Sequence, residues 1–150
     1  MKRMVMVLVV ASCGGDSSAN CDMATLKCSE AATTADLTAV FGVAPTTYDE
    51  NGHPNCNIKL PSGGGGIQVF CGDQYADMVG GANAGYPGAV TEPNNVGRKT
   101  FEVLTADIVE VGFLTTNGQY SVLVNLITGA ADITKARALA MTVDTNLSTP

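Results

Sequence analysis

The sequence predicts an α+β domain, in which an antiparallel sheet of two hairpin regions is covered by an N-terminal and a C-terminal helix. Apolar and polar residues alternate over 56–71 and again over 100–127, and such alternation predicts strands. Apolar residues at helical spacing near each end of the domain predict the two helices. No β-α-β alternation is visible, which favours α+β over α/β architecture.

The first thirteen residues have the features of an export signal that ends at a cysteine. Lys2 and Arg3 form a basic region, and the apolar stretch 4–10 is too short to span a bilayer, which takes about 20 residues. Small residues then precede a cysteine in Val10-Ala11-Ser12-Cys13, which resembles the lipobox of bacterial lipoproteins. The resemblance implies that residues 1–12 are a lipoprotein signal peptide and that Cys13 carries a diacylglyceryl lipid with fatty acids such as palmitate. The alternative is an ordinary secretory signal.

Residues 13–32 are predicted to form a lipidated tether and a disulfide-pinned segment, followed by a single α+β domain over 33–150. The run 14–20 is small and polar, as in flexible tethers. Loss of residues 1–12, which carry two of the eight basic residues, changes the formal charge from −6 to −8. Such a domain would repel nucleic acid and anionic lipid head groups, so lipid is expected to hold it at the membrane.

The first helix of the domain is predicted to begin at Thr33 or Thr34, since either residue can cap a helix N-terminus. Gly42 is expected to end this helix. Its apolar residues share one face: Leu37, Val40 and Phe41.

The first hairpin is predicted to join strands 56–60 and 67–71 through a loop over 61–66 that contains four consecutive glycines, Gly63–Gly66. Folding about that loop sets Leu60 opposite Ile67 and Cys56 opposite Cys71, with their side chains on one face. The glycines are interpreted as a flexible tip, because no Gly-Lys-Ser/Thr follows them and they lead into a strand.

Four cysteines other than Cys13 are present: Cys21, Cys28, Cys56 and Cys71. Outside the cytoplasm, four cysteines suggest two disulfides with three connectivities. The hairpin register predicts a cross-strand bond between Cys56 and Cys71, which leaves Cys21 to pair with Cys28. Their spacings do not match paired C-x₂-C zinc ligands, and neither a metal nor another cofactor is predicted.

The middle of the chain is predicted to hold a short helix, capped by Asp73 and running through Val79 to Gly80-Gly81. Residues 82–97 are rich in glycine, proline and asparagine and are predicted to form an irregular surface segment. Tyr86 lies in this segment and is a candidate contact residue. The alternative is that Tyr86 packs onto the edge of the sheet.

The second β region comprises strands over 100–104, 108–114 and 119–127, and Asn117-Gly118 indicates a type I′ turn between the last two. Folding about this turn pairs Phe113 with Val122, Val111 with Val124 and Val109 with Leu126. A final helix over 132–147 carries an apolar stripe expected to cover this sheet, while Asp144 is expected to face water. The stripe comprises Ile133, Ala136, Ala140, Val143 and Leu147.

This order of elements is similar to small secreted α+β domains of lipoproteins of unknown function and of sensor-kinase ectodomains. The similarity spans residues 28–148. It lies in five places: residues 37–42 at the end of the first helix, the cysteine strand 55–60, Gly97 before Thr100-Phe101, the strand 119–125 and Ala138-Leu139-Ala140. It implies a fold and an extracytoplasmic location, but no particular ligand.

Few residues indicate catalysis or metal binding. His53, the one histidine, lies in the turn-rich run 49–55 and is predicted to be a solvated loop residue. Asp49 and Asn51 are oxygen donors two apart, but an EF-hand loop starting at Asp49 would place Leu60 at its twelfth position. No G-x-S-x-G motif is present, so a serine-hydrolase elbow is absent. No base–nucleophile pair is recognisable, and no catalytic residue is predicted.

The leading hypothesis from the sequence is a lipid-anchored extracytoplasmic protein of the bacterial cell envelope with a binding domain. The membrane would be its partner through the lipid on Cys13, and the ligand would be a protein, a glycan or a small molecule. A structural or accessory lipoprotein of an envelope complex is the alternative. An extracytoplasmic enzyme is the third hypothesis.

Overall fold

The computed structural model describes residues 21–53 and 55–149, so the predicted signal peptide 1–12 and Cys13 lie outside the described residues. Six strands and four α-helices follow one another along this part of the chain. Their order is α1 (Cys28–Ala31), α2 (Thr34–Phe41), β1 (Asn55–Leu60), β2 (Gly63–Cys71), α3 (Tyr75–Gly85), β3 (Val90–Thr91), β4 (Lys99–Leu104), β5 (Ile108–Leu114), β6 (Tyr120–Ile127) and α4 (Ile133–Ser148), with a 3₁₀ turn at Thr128–Ala130 before α4.

The six strands form one antiparallel sheet in the order β1-β2-β6-β5-β4-β3. This confirms the predicted α+β class. The strand pair β2–β6 joins the two predicted hairpin regions into one continuous sheet, because β6 lies between β5 and β2.

One face of the sheet, here called the inner face, is covered by α4, which packs on β5 and β6. Helices α1 and α2 pack against α4, and their buried residues belong to the same core. The side chains of β5 and β6 on this face are fully buried, and Val143 of α4 is also fully buried. The predicted apolar stripe of α4 is confirmed, with Leu139 as a further buried member and Ile133 partly buried. The Asp132 side chain caps α4 by accepting hydrogen bonds from the backbone N–H groups of Thr134 and Lys135.

Helix α2 begins and ends as its sequence predicts. The Thr33 hydroxyl accepts a hydrogen bond from the Asp36 N–H, and the Asp36 carboxylate accepts one from the Thr33 N–H, which completes a capping box. Gly42 ends the helix in the left-handed conformation, with φ of 73°.

The β5–β6 hairpin has the predicted register, with Phe113 opposite Val122 and Val111 opposite Val124. The turn differs from the predicted type I′, which requires positive φ at both central residues. Gly118 has φ of 75°, whereas Asn117 does not have a positive φ. The Gly118 N–H donates to the Thr115 carbonyl, and the Thr115 N–H donates to the Tyr120 carbonyl, so the loop is longer than two residues.

The predicted register of the first hairpin is wrong by four residues. Cys56 lies opposite Ile67, Leu60 lies opposite Gly63, and Pro61-Ser62 alone form the turn. The glycines Gly63–Gly66 are therefore part of β2 rather than a loop tip, and each has a partner on β1. At two of these glycines, Gly63 and Gly65, a side chain would not fit. A Cβ at Gly63 would lie 2.7 Å from the Ala130 nitrogen, and one at Gly65 would overlap the β6 backbone.

The predicted disulfide pairing is also wrong. Cys21 is bonded to Cys71, and Cys28 is bonded to Cys56, with Cα–Cα distances of 5.7 and 5.6 Å. The reason is the register, since Cys71 lies opposite Tyr120 of β6 instead of opposite Cys56. Both cysteines of the Cys28–Cys56 bond are buried, and this bond joins α1 to β1.

Helix α3 is longer than predicted, and the segment 82–97 is less irregular. The helix continues through Gly80-Gly81 and ends at Gly85, and Val90–Thr91 forms a short edge strand beside β4. Asp73 does bond the start of the helix, because its carboxylate accepts a hydrogen bond from the Tyr75 N–H. Packing of α3 on the sheet offsets the low helix propensity of its glycines, which is roughly 1 kcal/mol each.

Candidate outer-face groove

The second face of the sheet, here called the outer face, is only partly covered. Helix α3 packs over β3, β4 and β5, whereas the outer sides of β1, β2 and β6 carry no helix among the described residues. Two of the exposed large hydrophobic side chains lie on this uncovered part, namely Phe70 of β2 and Ile127 of β6, which are 38% and 41% exposed. An apolar surface therefore meets solvent at the boundary between α3 and the uncovered sheet.

A small second core lies beneath α3. It comprises Tyr75, Ala82, Phe101 and Val103. The Phe101 ring contacts Tyr75 edge to face, with ring centroids 5.9 Å apart, and it lies directly on Gly112 of β5, where a Cβ would overlap the ring. Phe101 is buried, and it faces the opposite side of the sheet from Phe113.

A groove with a volume of about 270 Å³ runs between α3 and the outer face. Its lining is apolar except for the Glu110 carboxylate and the Tyr86 hydroxyl. The lining residues are Phe70, Met78, Gly81, Ala82, Tyr86, Phe101, Glu110 and Leu123. An apolar cleft with a few polar groups is the usual form of a small-molecule site, although 270 Å³ is slightly below the usual range of roughly 300–1,000 Å³.

Glu110 is the charged group of this groove. Residues alternate along β5, so the burial of Val109 and Val111 on the inner face directs Glu110 to the outer face, between Val103 of β4 and Asn125 of β6. Burial raises the pKa of the Glu110 carboxyl, and the Tyr86 hydroxyl beside it acts in the opposite direction. A carboxyl held in apolar surroundings with a raised pKa is a recognised mark of a functional site.

The sequence offered two alternatives for Tyr86, an exposed contact residue or a residue packed on the sheet, and the structure combines features of both. Its ring is half-buried and packs against the second core, and it also lines the groove. The Glu110 charge, together with burial, raises the pKa of the Tyr86 hydroxyl. Tyr86 and Glu110 therefore form one polar end in a mainly apolar groove.

A larger depression of about 420 Å³ lies near the C-terminal end of α4. Its lining mixes polar and apolar groups, and a central member, Asn117, already uses its side chain within the protein. The Asn117 amide nitrogen donates to the Leu147 carbonyl at 2.9 Å, and its oxygen accepts from the Thr115 hydroxyl at 2.8 Å. The first bond attaches the β5–β6 loop to α4, and the second holds Asn117 within the loop, so this depression lies where the loop packs against the helix.

The residues considered for metal binding or catalysis lie away from the groove. His53 is exposed just after a turn, and the Asp49 carboxylate accepts a hydrogen bond from the Asn51 N–H within that turn. Within residues 21–53 and 55–149, no three His, Cys, Asp or Glu side chains are grouped to hold a metal ion. No helix in these ranges is long and apolar enough to cross a membrane.

No protein-family model, curated protein or solved structure matches this chain. No activity is therefore transferred from a relative, and the functional interpretation depends on the geometry of the groove.

Proposed function

We propose that this chain is a lipid-anchored, extracytoplasmic binding protein of the bacterial cell envelope that holds a small hydrophobic molecule in the outer-face groove. The groove itself is the observation that supports this function, because it combines an apolar lining with one polar end formed by Tyr86 and Glu110. Ligand sites of this kind bind through apolar burial and orient the ligand through a few polar groups.

The disulfides support the proposed compartment. The Cys21–Cys71 and Cys28–Cys56 bonds need an oxidising environment such as the outside of the cytoplasmic membrane. The lipobox-like Val10-Ala11-Ser12-Cys13 adds a route to that compartment and a point of anchoring. Stable anchoring takes two acyl chains, which a diacylglyceryl group on Cys13 would supply.

The Cys21–Cys71 bond relates the proposed anchor to the groove. Cys71 directly follows Phe70, which lines the groove, and the bond holds Cys21 at this end of β2. Cys13 precedes Cys21 by eight residues, which reach at most about 29 Å when fully extended. A lipid on Cys13 would therefore keep this end of the domain close to the membrane surface, where hydrophobic molecules concentrate.

The first test concerns the anchor. Mass spectrometry of the mature protein from membranes should find Cys13 as the N-terminal residue with added acyl mass, because the lipobox resemblance implies both changes. Cys13→Ser should release the protein from the membrane fraction without changing its free energy of unfolding. An unmodified Cys13, or a chain that still begins at Met1, would contradict the anchor.

The second test concerns the groove and uses two neighbouring glycines of α3. Gly81 lines the groove and Gly80 does not, and a Cβ at either position would meet no other atom within 4 Å. Gly81→Leu should obstruct the groove, whereas Gly80→Leu makes the same change of size and helix propensity outside it. Both variants should fold and be slightly more stable than the wild type.

Binding is measured with N-phenyl-1-naphthylamine, a neutral dye that fluoresces in apolar surroundings, and with its displacement by 1-octanol. Burial of roughly 100–200 Å² of apolar surface is worth roughly 2.5–5 kcal/mol before the cost of association, which predicts weak binding. We expect the wild type and Gly80→Leu to bind the dye equally and Gly81→Leu to lose at least about 80% of the signal. Equal binding by all three proteins, or no binding by the wild type, would refute the proposed site.

A second candidate function, an accessory lipoprotein that docks a protein in an envelope complex, is favoured by the exposed Phe70 and Ile127 side chains on the uncovered sheet. Ile127 is not part of the groove lining. Ile127→Asp should therefore weaken a protein complex on this face while leaving binding of the dye unchanged.

A further inference from the structure

The groove has one charged lining residue, Glu110, and no basic residue lines it. The surrounding side chains are those of Phe70, Met78, Phe101 and Leu123, which offer this carboxylate no counter-ion. Within the described chain, the ion pairs formed by Arg137 and Lys99 are with Glu102 and Asp73, so these two cations are paired elsewhere. A negative charge in apolar surroundings is stabilised by a cation that shares the site.

We infer that the groove selects molecules with an apolar body and one protonated amine, with the Glu110 carboxylate as the counter-ion of the amine. This inference rests on the proposed function, because it specifies which hydrophobic molecules the groove prefers. The apolar body would lie on Phe70, Phe101 and Leu123, and the ammonium group would lie at the Tyr86–Glu110 end.

The net charge of the whole protein also favours a cationic ligand. Its formal charge is −6, so an anionic ligand is disfavoured before it reaches the groove, and a cationic ligand is attracted. The Tyr86 hydroxyl can donate to the carboxylate, and Asn125 lies beside Glu110 on β6. The polar end therefore provides a carboxylate supported by neutral groups.

The test compares three eight-carbon ligands that differ mainly in charge: octylammonium, 1-octanol and octanoate. At pH 7.5 the wild type should bind octylammonium about tenfold more tightly than 1-octanol, as a charge-assisted hydrogen bond allows, and octanoate most weakly. Glu110→Gln should reduce the ratio of the octylammonium affinity to the 1-octanol affinity, both measured on the same variant, to about twofold or less. Asp77→Asn removes one exposed acid from α3 outside the groove lining and should keep the preference.

The pH dependence provides a test that does not depend on the folding of a variant. The titratable group facing Glu110 from the α3 side is Tyr86, while its strand neighbours Val103 and Asn125 do not titrate. The Glu110 carboxyl is charged above its pKa and becomes neutral as the pH falls through it. Burial raises this pKa above the ordinary value for a glutamate, so the charge is lost at a higher pH than usual. The wild-type preference for octylammonium should therefore fall as the pH is lowered from 7.5 to 4, while 1-octanol binding stays constant.

Two results would overturn the inference: equal binding of octylammonium and 1-octanol by the wild type, or a preference that Glu110→Gln retains. In either case, binding of 1-octanol that Gly81→Leu abolishes would leave the proposed groove intact. Loss of the proposed function would be recognised separately, as the absence of 1-octanol and dye binding from the wild type.

Discussion

Replacing Val143 by aspartate should lower the free energy of unfolding by roughly 3–5 kcal/mol, a large fraction of the 5–15 kcal/mol typical of a small domain. Val143 is fully buried on α4 and packs within the core formed by the inner face of the sheet. A carboxylate there would have no counter-ion among the apolar side chains of β5 and β6. It would have to stay buried and neutral, or it would displace the helix.

Met141→Asp provides the matched control, because Met141 lies two residues away on the same helix and is 51% exposed. Its effect should be within about 0.5 kcal/mol of zero. Urea titrations of the two variants give the comparison. Asp144 is unsuitable as a control, because its side chain is only partly exposed and is hydrogen-bonded to the β5–β6 loop. Its carboxylate accepts hydrogen bonds from the Thr116 N–H at 2.7 Å and from the Thr116 hydroxyl at 2.6 Å. Equal midpoints for the two aspartate variants would contradict the packing of α4.

Removing either disulfide should cost about 3–4 kcal/mol, because the bonds close loops with sequence separations of 50 and 28 residues. Loss of the Cys28–Cys56 bond should lower the free energy of unfolding by more than the length of its loop predicts. Both of its cysteines are buried, so their replacement by alanine also removes core volume.

The pairing of Cys21 with Cys71 can be tested by asking whether the stability losses of two single alanine variants add up in the double variant. Cys21→Ala and Cys71→Ala should lower the free energy of unfolding by similar amounts, and the double variant should be no worse than either single one, because all three lack the same bond. Non-reducing peptide mapping should recover Cys21 linked to Cys71. A peptide that joins Cys56 to Cys71, or additive losses from Cys21→Ala and Cys71→Ala, would show that this pairing is incorrect.

The elements predicted best from the sequence are those whose side chains mark a face. Strands β5 and β6 alternate strictly, so one register places Val111 opposite Val124 and buries both. Helix α4 has an apolar stripe that fits a single orientation, and α2 has a capping box and a terminal glycine. In each case local propensity and burial favour the same structure.

The register of β1 and β2 was not predictable in the same way. A shift of four residues keeps Cys56, Ile58, Ile67 and Val69 on the same face, so the hydrophobic pattern is satisfied by both registers. Four consecutive glycines carry no side chain that marks a face, and they are more often found in turns than within strands. Their place in the sheet depends on the close approach of β6 and Ala130, which is a tertiary contact. The disulfide prediction failed because it depended on this register.

The groove was only partly foreseen. Tyr86 was identified from its irregular, glycine-rich context, but Glu110 was missed because an acidic residue on the alternate face of a strand usually faces water. Its partial burial results from α3 and Tyr86, and the glycines of α3 suggested that the helix ended before them. The bidentate Arg137–Glu102 ion pair, with both distances 2.7 Å, was missed for a similar reason. It joins α4 to β4, which are far apart in sequence.

Mapping of a bound ligand by NMR is the most direct test that the outer-face groove is the binding site. The measurement is a titration of the oxidised wild-type domain with 1-octanol, followed in ¹H–¹⁵N spectra. The largest saturable shifts should be at four residues that line the groove: Phe70, Tyr86, Glu110 and Leu123. They lie on β2, just after α3, on β5 and on β6, respectively. Gly81→Leu should abolish these shifts and Gly80→Leu should retain them. Saturable shifts confined to Asn117, Tyr120 and Leu147, at the larger depression beside α4, or no saturable shifts at all, would contradict the proposed site.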